Sequence, residues 1–264
     1  MVPYYSAPNV NLFHADCRDF LAIHKHELEG QVDAVITDPP FNIGQAYDEH
    51  DDDVCASDYE RFFREWIFGI STAIKVGGVV AINVPDALVN LTLNTALSYG
   101  LQRIDWVIWH YRFGQCINSK FISSKTHCLI FRYGGTTHTW NPQLVESDRY
   151  SKYNDVRTLQ TDTPGKRVPF DVWSTENDGP HWSRLVGNNL EKVVNHPNQL
   201  PEKYIERLVL SYTNPGDLIF EPFGGTGTVP VVAAALGRRC ICVEKSQAYC
   251  DDIKTRLEKG AVRC

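Results

Sequence analysis

The chain has 264 residues, 43% hydrophobic and 22% charged, which is globular composition with enough length for one large core plus an insertion. No stretch approaches the ~20 apolar residues of a membrane span, and Met1-Val2-Pro3-Tyr4-Tyr5 is not a secretory leader, so a cytoplasmic protein is expected. The net charge of −6 is uneven: residues 1–60 hold 13 acids against 2 bases, and the remainder is net +5.

Val32 to Asp38 is a short apolar run ending in an acid and two prolines, which predicts a buried strand with a loop at its carboxyl end. Phe62, Phe63, Trp66, Ile67 and Ile70 fall at helical spacing over 59–74, with Ser57 as N-cap and Gly77-Gly78 as the stop. Val79 to Val84 reads as a second buried strand, 86–99 as a helix, and Asp105 to Tyr111 and His127 to Tyr133 as two further strands. Residues 134–195 are rich in Asn, Asp, Thr, Pro, Gly and His and predict a loop-rich insertion. Regular pattern then resumes: a helix over Glu202 to Tyr212, a turn at 214–217 and a strand over Leu218 to Glu221. A glycine turn, a helix over 227–236, a strand over Cys240 to Glu244 and a helix over 247–259 complete the chain. Alternating strands and helices predict an α/β fold with a mostly parallel sheet covered on both faces.

The eight cysteines include no Cys-x-x-Cys pair and no zinc spacing, so they read as reduced thiols in a reducing compartment. The acidic run 48–53 reads as a solvated loop, and no metal is expected. Trp106 and Trp109 read as core packing. Two segments concentrate positive charge: Arg103, Arg112, Lys120, Lys125 and Arg132 against Asp105, and Arg149, Lys152, Arg157, Lys166 and Arg167 against Asp155 and Asp162. Phosphates respond to local charge, so Arg112, Lys120, Lys125, Arg149, Lys152, Arg157, Lys166 and Arg167 are candidate nucleic-acid contacts.

Two constellations carry chemistry. In the first, an apolar strand ends at Glu221 and passes through Pro222-Phe223-Gly224-Gly225-Thr226-Gly227-Thr228 into a helix, and a second strand ends at Glu244. Such a turn lets a ligand approach the backbone at the carboxyl ends of strands, and a carboxylate about 20 residues on accepts from ribose hydroxyls. The Gly-Lys-Ser/Thr ending of a phosphate loop is missing, and Glu221 adds negative charge. A nucleoside carrying sulfonium and ammonium groups therefore suits the turn better than a pyrophosphate.

The second is Asp38-Pro39-Pro40-Phe41. An exocyclic base amine is a poor nucleophile because its lone pair is delocalised. Two acceptors on its N–H bonds, the Asp38 carboxylate and the Pro39 carbonyl, favour the pyramidal form, and Phe41 offers a face on which a base can stack.

With these residues in this order, the chain resembles the β class of amino-methylating DNA methyltransferases, in which the Asp-Pro-Pro-aromatic motif precedes the cofactor motif. The resemblance covers 9–133 and 187–259, including Gln199-Leu200-Pro201, Asn214-Pro215-Gly216-Asp217 and the opening segment Asn11 to Cys17. It implies a Rossmann-like, seven-stranded, mostly parallel methyltransferase sheet with circularly permuted motif order. It also implies a catalytic half (1–133), a target-recognition insertion (134–195) and a cofactor-binding half (196–264). S-adenosylmethionine is the implied cofactor and double-stranded DNA the implied partner, and family members often dimerise. The carry-over assigns Asp38, Pro39, Pro40 and Phe41 to the target base. It assigns Asp16, Cys17, Asp38, Gln199, Leu200, Glu221, Phe223, Gly224, Gly225, Thr226, Gly227, Thr228, Glu244 and Lys245 to the cofactor, with His196 to Pro201 bordering its methionine end.

The family usually has Asp at 221, Ser at 226 and Tyr at 41. Asp rather than Ser at 38 favours N6-adenine as the target. N4-cytosine methylation is the alternative, and a nicotinamide-dependent oxidoreductase or a catalytically silent DNA-binding protein are rivals from other classes.

Overall fold

A computed structural model describes residues 1–44, 52–148, 166–179, 182–185, 189–193, 196 and 198–262. The elements run β1 (Tyr5–Ala7), β2 (Val10–His14), α1 (Cys17–Ile23), α2 (Lys25–Leu28), β3 (Val32–Thr37), α3 (Ala56–Ala73), β4 (Ile74–Val84), α4 (Val89–Ser98), β5 (Leu101–Ile117) and β6 (Lys120–Tyr133). After these come β7 (Ser147–Asp148), β8 (Lys166–Arg167), β9 (Val172–Ser174), α5 (Thr175–Asp178), α6 (Glu202–Tyr212), β10 (Leu218–Glu221), α7 (Thr228–Ala235), β11 (Arg239–Glu244) and α8 (Gln247–Lys259).

One sheet organises the chain, in the order β1-β2-β11-β10-β3-β4-β6-β5-β9. The run β2-β11-β10-β3-β4 is parallel throughout. β6 runs antiparallel to both β4 and β5, and β9 adds parallel to β5. Seven strands thus form the expected mostly parallel sheet, and two three-residue strands, β1 and β9, extend its edges. β9 comes from within the loop-rich segment: three residues are too few to register as a periodic pattern.

Strand alternation sorts the core into two layers. Ala34, Ile36, Val79 and Ala81 face α6, α7 and α8 together with Trp109, Trp173 and Trp182. Val35, Val80 and Ile82 face α1, α3 and α4. In α3 the stripe Tyr59, Phe63, Trp66, Ile67 and Ile70 is buried, as its spacing requires.

Three local features depart from the sequence expectation. Cys55, not Ser57, is the N-cap of α3. Gly77-Gly78 lies inside β4 rather than ending the helix, because α3 passes directly into β4 and the glycines absorb a register shift against β3, with Gly77 at φ +83°. The β5–β6 pair is a long hairpin closed by the two-residue turn 118–119. Its outer half lacks the apolar alternation of a strand packed on a core, and it continues past His127, which pairs with Val84 at the end of β4.

Most of the acidic run lies outside the described residues. Asp52, its buried member, accepts from the Asn42 and Ile43 amides and so fixes the loop after Phe41. No helix among the described residues is long and apolar enough to cross a membrane.

Candidate active site

Parallel strands place all their carboxyl ends on one rim. Here those ends are His14, Glu244, Glu221, Thr37 and Val84. A cavity of about 980 Å³, part of it open to solvent, lies along the rim. Its wall includes Asp16 and Cys17 after β2, Asp38 and Pro40 after β3, Glu221 to Thr226 and Thr228 after β10, and Glu244, Lys245 and Ser246 after β11. The two constellations therefore meet in space. Thr37 Oγ1 donates to Glu221 Oε1 at 2.7 Å, joining β3 to β10 directly.

Three carboxylates dominate the wall, and no basic side chain among the described residues forms an ion pair with any of them. Asp38 is half-buried; burial pushes its carboxyl up to about 7, against the pull of a hydrogen bond from Asn83. Glu221 is buried and accepts from Thr37 and from the Phe223 amide at 3.0 Å. Burial still drives its carboxyl well above the ordinary range, with the charges of Asp38 and Glu244 adding to the effect. Glu244 accepts from the Gly225 amide at 2.7 Å and the Ser246 amide at 2.8 Å, and burial raises it as well. Such a wall is electrostatically starved and favours a cationic ligand.

Asp16 differs. Burial pushes it up, but the side-chain and backbone bonds from Arg18 outweigh that and hold it below the usual range. It caps α1 through the Arg18 amide, so this acid orients the loop after β2.

The glycine turn is shaped by contact. A Cβ on Gly224 would sit 2.8 Å from Cys242 Sγ and 2.9 Å from Ile253 Cδ1, so only glycine lets the turn lie on β11. At Gly225 (φ +50°) a Cβ would meet His196 Nε2 at 3.2 Å. Burial holds the His196 imidazole down at about 4, so it is neutral, and its ring packs on Tyr249 with centroids 4.8 Å apart.

Not every expected residue lies on the wall. Gln199 is committed elsewhere: it donates to the Glu191 carbonyl and accepts from the Val193 amide. Gly227 is the left-handed N-cap of α7 and packs on Ile253. Pro39 is buried behind the rim, and Phe41 packs partly buried against the core layer containing α3. The Pro40 carbonyl accepts from the Tyr59 hydroxyl at 2.7 Å, which pins the double-proline loop to α3.

Asn198, in the segment expected to border the methionine end, is on the wall, which also holds Phe62, Ile205, Val229, Ser246 and Tyr249. The latter five sit on helices or loops without a motif of their own; only the fold could have revealed them.

Of the basic candidates, Arg112 pairs with Glu176 and Lys125 with Asp86, both on exposed surface near the hairpin. Lys120 opens β6. Lys166 and Arg167 form β8, with the Arg167 guanidinium 3.7 Å from the Phe170 ring centroid. Arg149, Lys152 and Arg157 lie outside the described residues.

Comparison with known proteins adds the family. The chain is 26% identical over 245 residues to the type II methyltransferase M.HpaI of Haemophilus parainfluenzae, covering 92% of this chain and 73% of that protein. It is 24% identical over 245 residues to the DNA adenine methyltransferase YhdJ of Escherichia coli, covering 88% and 78%. The crystal structure of an M1.HpyAVI–SAM complex superposes with a TM-score of 0.67 at 20% identity, over 94% of this chain and 98% of that one, which carries the fold. Residues 32–255 match the N6/N4 family described as DNA methylase. That span runs from the strand before Asp38 to the helix after Glu244, so the chain belongs to the DNA methylases, and its activity is methyl transfer from S-adenosylmethionine to DNA.

Proposed function

We propose that this protein extrudes an adenine from double-stranded DNA and methylates its N6 amine at the Asp38 end of the rim cavity. One observation carries the reading: Asp38 lines the same cavity as Glu221, Glu244 and the glycine turn. Donor and acceptor chemistry can therefore meet on one rim.

The residues fit S-adenosylmethionine. The cavity is large enough for a nucleoside with an amino-acid tail, Asp38, Glu221 and Glu244 are starved of cations, and the Gly224–Gly225 bend is kept open against Cys242 and His196. Glu244 is the group for the ribose hydroxyls; Glu221, Asp16, Cys17, Phe223, Thr226, Thr228, Leu200 and Lys245 complete the pocket. The cofactor supplies a methyl group already activated on a sulfonium.

The chain's own residues supply alignment and charge. The Asp38 carboxylate and the Pro39 carbonyl accept the two amine N–H bonds. An amine that accepts a methyl group from the sulfonium, with the thioether as leaving group, would have to shed one proton. An Asp38 carboxylate poised at about 7 can take it. Phe41, on its pinned loop, offers a stacking face to the extruded base.

Adenine is favoured by Asp at position 38 and by the likeness to an adenine methyltransferase. We assign residues 1–133 to a catalytic half, 134–195 to target recognition and 196–264 to a cofactor half. The outer β5–β6 hairpin supports a recognition role nearby: Trp109 Nε1 donates to the Trp182 carbonyl at 2.7 Å, and Arg184 lies 5.2 Å from the Tyr111 ring centroid.

The test is direct. Asp38→Ala should abolish tritium transfer to DNA while S-adenosylhomocysteine binding persists, and nucleoside mass analysis of wild-type product should return N6-methyladenine. Wild-type turnover by Asp38→Ala, or N4-methylcytosine as the product, would sink the respective claim.

A further inference from the structure

Asp38 is the last member of a buried file of polar side chains. Asn83, next to last in β4 and buried, donates from Nδ2 to Asp38 Oδ1 at 2.9 Å. Its own Oδ1 accepts from the Tyr204 hydroxyl at 3.1 Å. Tyr204 is fully buried on α6, and Cys128, opposite Asn83 in the β4–β6 register, lies within hydrogen-bonding reach of that hydroxyl. Three elements and the loop after β3 thus contribute one residue each to a chain that ends at the rim.

An asparagine amide can face a carboxylate with either end. With Nδ2 forward it donates and favours the ionised form; flipped, its oxygen repels that form. The Tyr204 hydroxyl donating to Oδ1 selects the first orientation. The bond also occupies Oδ1 and holds the Asp38 rotamer, leaving Oδ2 for a ligand. Polar pairs in a dry interior are strong when satisfied, which suits a group that must hold one geometry.

We propose that Asn83, oriented by Tyr204, is a positioning residue for methyl transfer: it fixes the Asp38 carboxylate with one oxygen free for the target amine. The inference rests on the assignment of Asp38 above. The groups facing Asp38 are Asn83 from β4, Glu221 from β10, and Tyr204 and Cys128 beyond Asn83 from α6 and β6. Burial pushes the Tyr204 hydroxyl and the Cys128 thiol up, so both stay neutral through the working range. Burial sets Asp38 near 7 with Asn83 pulling it down, so loss of the amide moves it further up.

The experiment measures kcat and KM for DNA between about pH 6 and about pH 9 in wild type, Asn83→Ala and Tyr204→Phe, with S-adenosylhomocysteine affinity by calorimetry. Asn83→Ala should lower kcat near neutrality on the order of tenfold to a hundredfold. KM and ligand affinity should hold, and the acidic limb of the kcat profile should move to higher pH. Tyr204→Phe should move the limb the same way by less. An unmoved limb in Asn83→Ala overturns the proposal whether or not kcat falls, because a fall without the shift is a structural loss. Asp38→Ala in the same assay separates the two readings: turnover there refutes the role of Asp38 itself, whereas an inactive Asp38→Ala beside an unmoved Asn83→Ala limb refutes only the role of Asn83.

Discussion

The Thr37 hydroxyl donates to Glu221 Oε1 across 184 residues of sequence, and this bond ties the Asp38 loop to the glycine turn. Glu221 Oε1 also accepts from the Phe223 amide, so one carboxylate oxygen organises both sides of the cavity. Thr37→Val keeps the shape and removes the donor. A hydrogen bond of this kind contributes about 0.5–1.5 kcal/mol, so S-adenosylhomocysteine affinity should weaken about twofold to tenfold by calorimetry. Unchanged affinity would show that the bond is incidental to the pocket.

Much of this rim was legible in the sequence because it is built from strand ends. Asp38, Glu221 and Glu244 each close an apolar run, and parallel strands put such residues on one edge whatever their separation. The order of strands was not legible, since no local pattern says that β10 lies between β3 and β11. Nor were Asn83 and Tyr204: each sits inside an element whose apolar neighbours explain it as packing, and only the fold brings them to Asp38. Gln199 lies off the wall. It stands in a segment resembling the family's motif, yet both ends of its amide are used to bind residues 191 and 193.

The three rim carboxylates make stability depend on pH in an unusual direction. Asp38, Glu221 and Glu244 all have folded values raised above their ordinary ones, so their contribution is present below the unfolded value and lost as pH rises through the folded value. His196, held down at about 4, opposes this between about 4 and about 6.5 because it must be neutral in the fold. Asp16 and Asp86, held low, matter only in acid. Ligand-free protein should therefore lose stability as pH rises from about 4 to about 7, the interval between the ordinary and the folded Asp38 value. Asp38→Asn should be more stable than wild type at about pH 8 and close to it near pH 4. The displacement of Asp38 from 3.8 to about 7 sets a ceiling of about 4 kcal/mol on the difference. Urea titrations at the two pH values measure it, and a variant less stable than wild type at pH 8 contradicts the burial argument.

Arg112 and Lys125 are exposed cations held by Glu176 and Asp86. Such surface pairs are weak, so a DNA phosphate can displace the carboxylate at little cost. Arg112→Ala and Lys125→Ala should each weaken DNA binding and reduce the slope of log affinity against log salt by about one. Gel shifts across a salt series read both quantities. An affinity loss with an unchanged slope would mean that the residue shapes the hairpin without touching phosphate.

The glycine turn is held from behind by Arg256. Its Nη1 donates to the Thr226 carbonyl at 2.7 Å and to Thr228 Oγ1 at 3.1 Å, and its Nη2 to Glu202 Oε1 at 2.9 Å. Glu202 is fully buried and also accepts from the Val262 amide, so Arg256→Met takes the Arg256 cation away from a buried carboxylate; breaking a buried pair this way costs about 3–5 kcal/mol. Urea unfolding should show that loss. Replacing both partners, Arg256→Met with Glu202→Gln, removes that charge and should recover most of the stability. It should not recover S-adenosylhomocysteine affinity, because Thr226 and Thr228 still lack their donor. Stability and affinity returning together in the double variant would reduce Arg256 to a fold-stabilising residue with no part in shaping the turn.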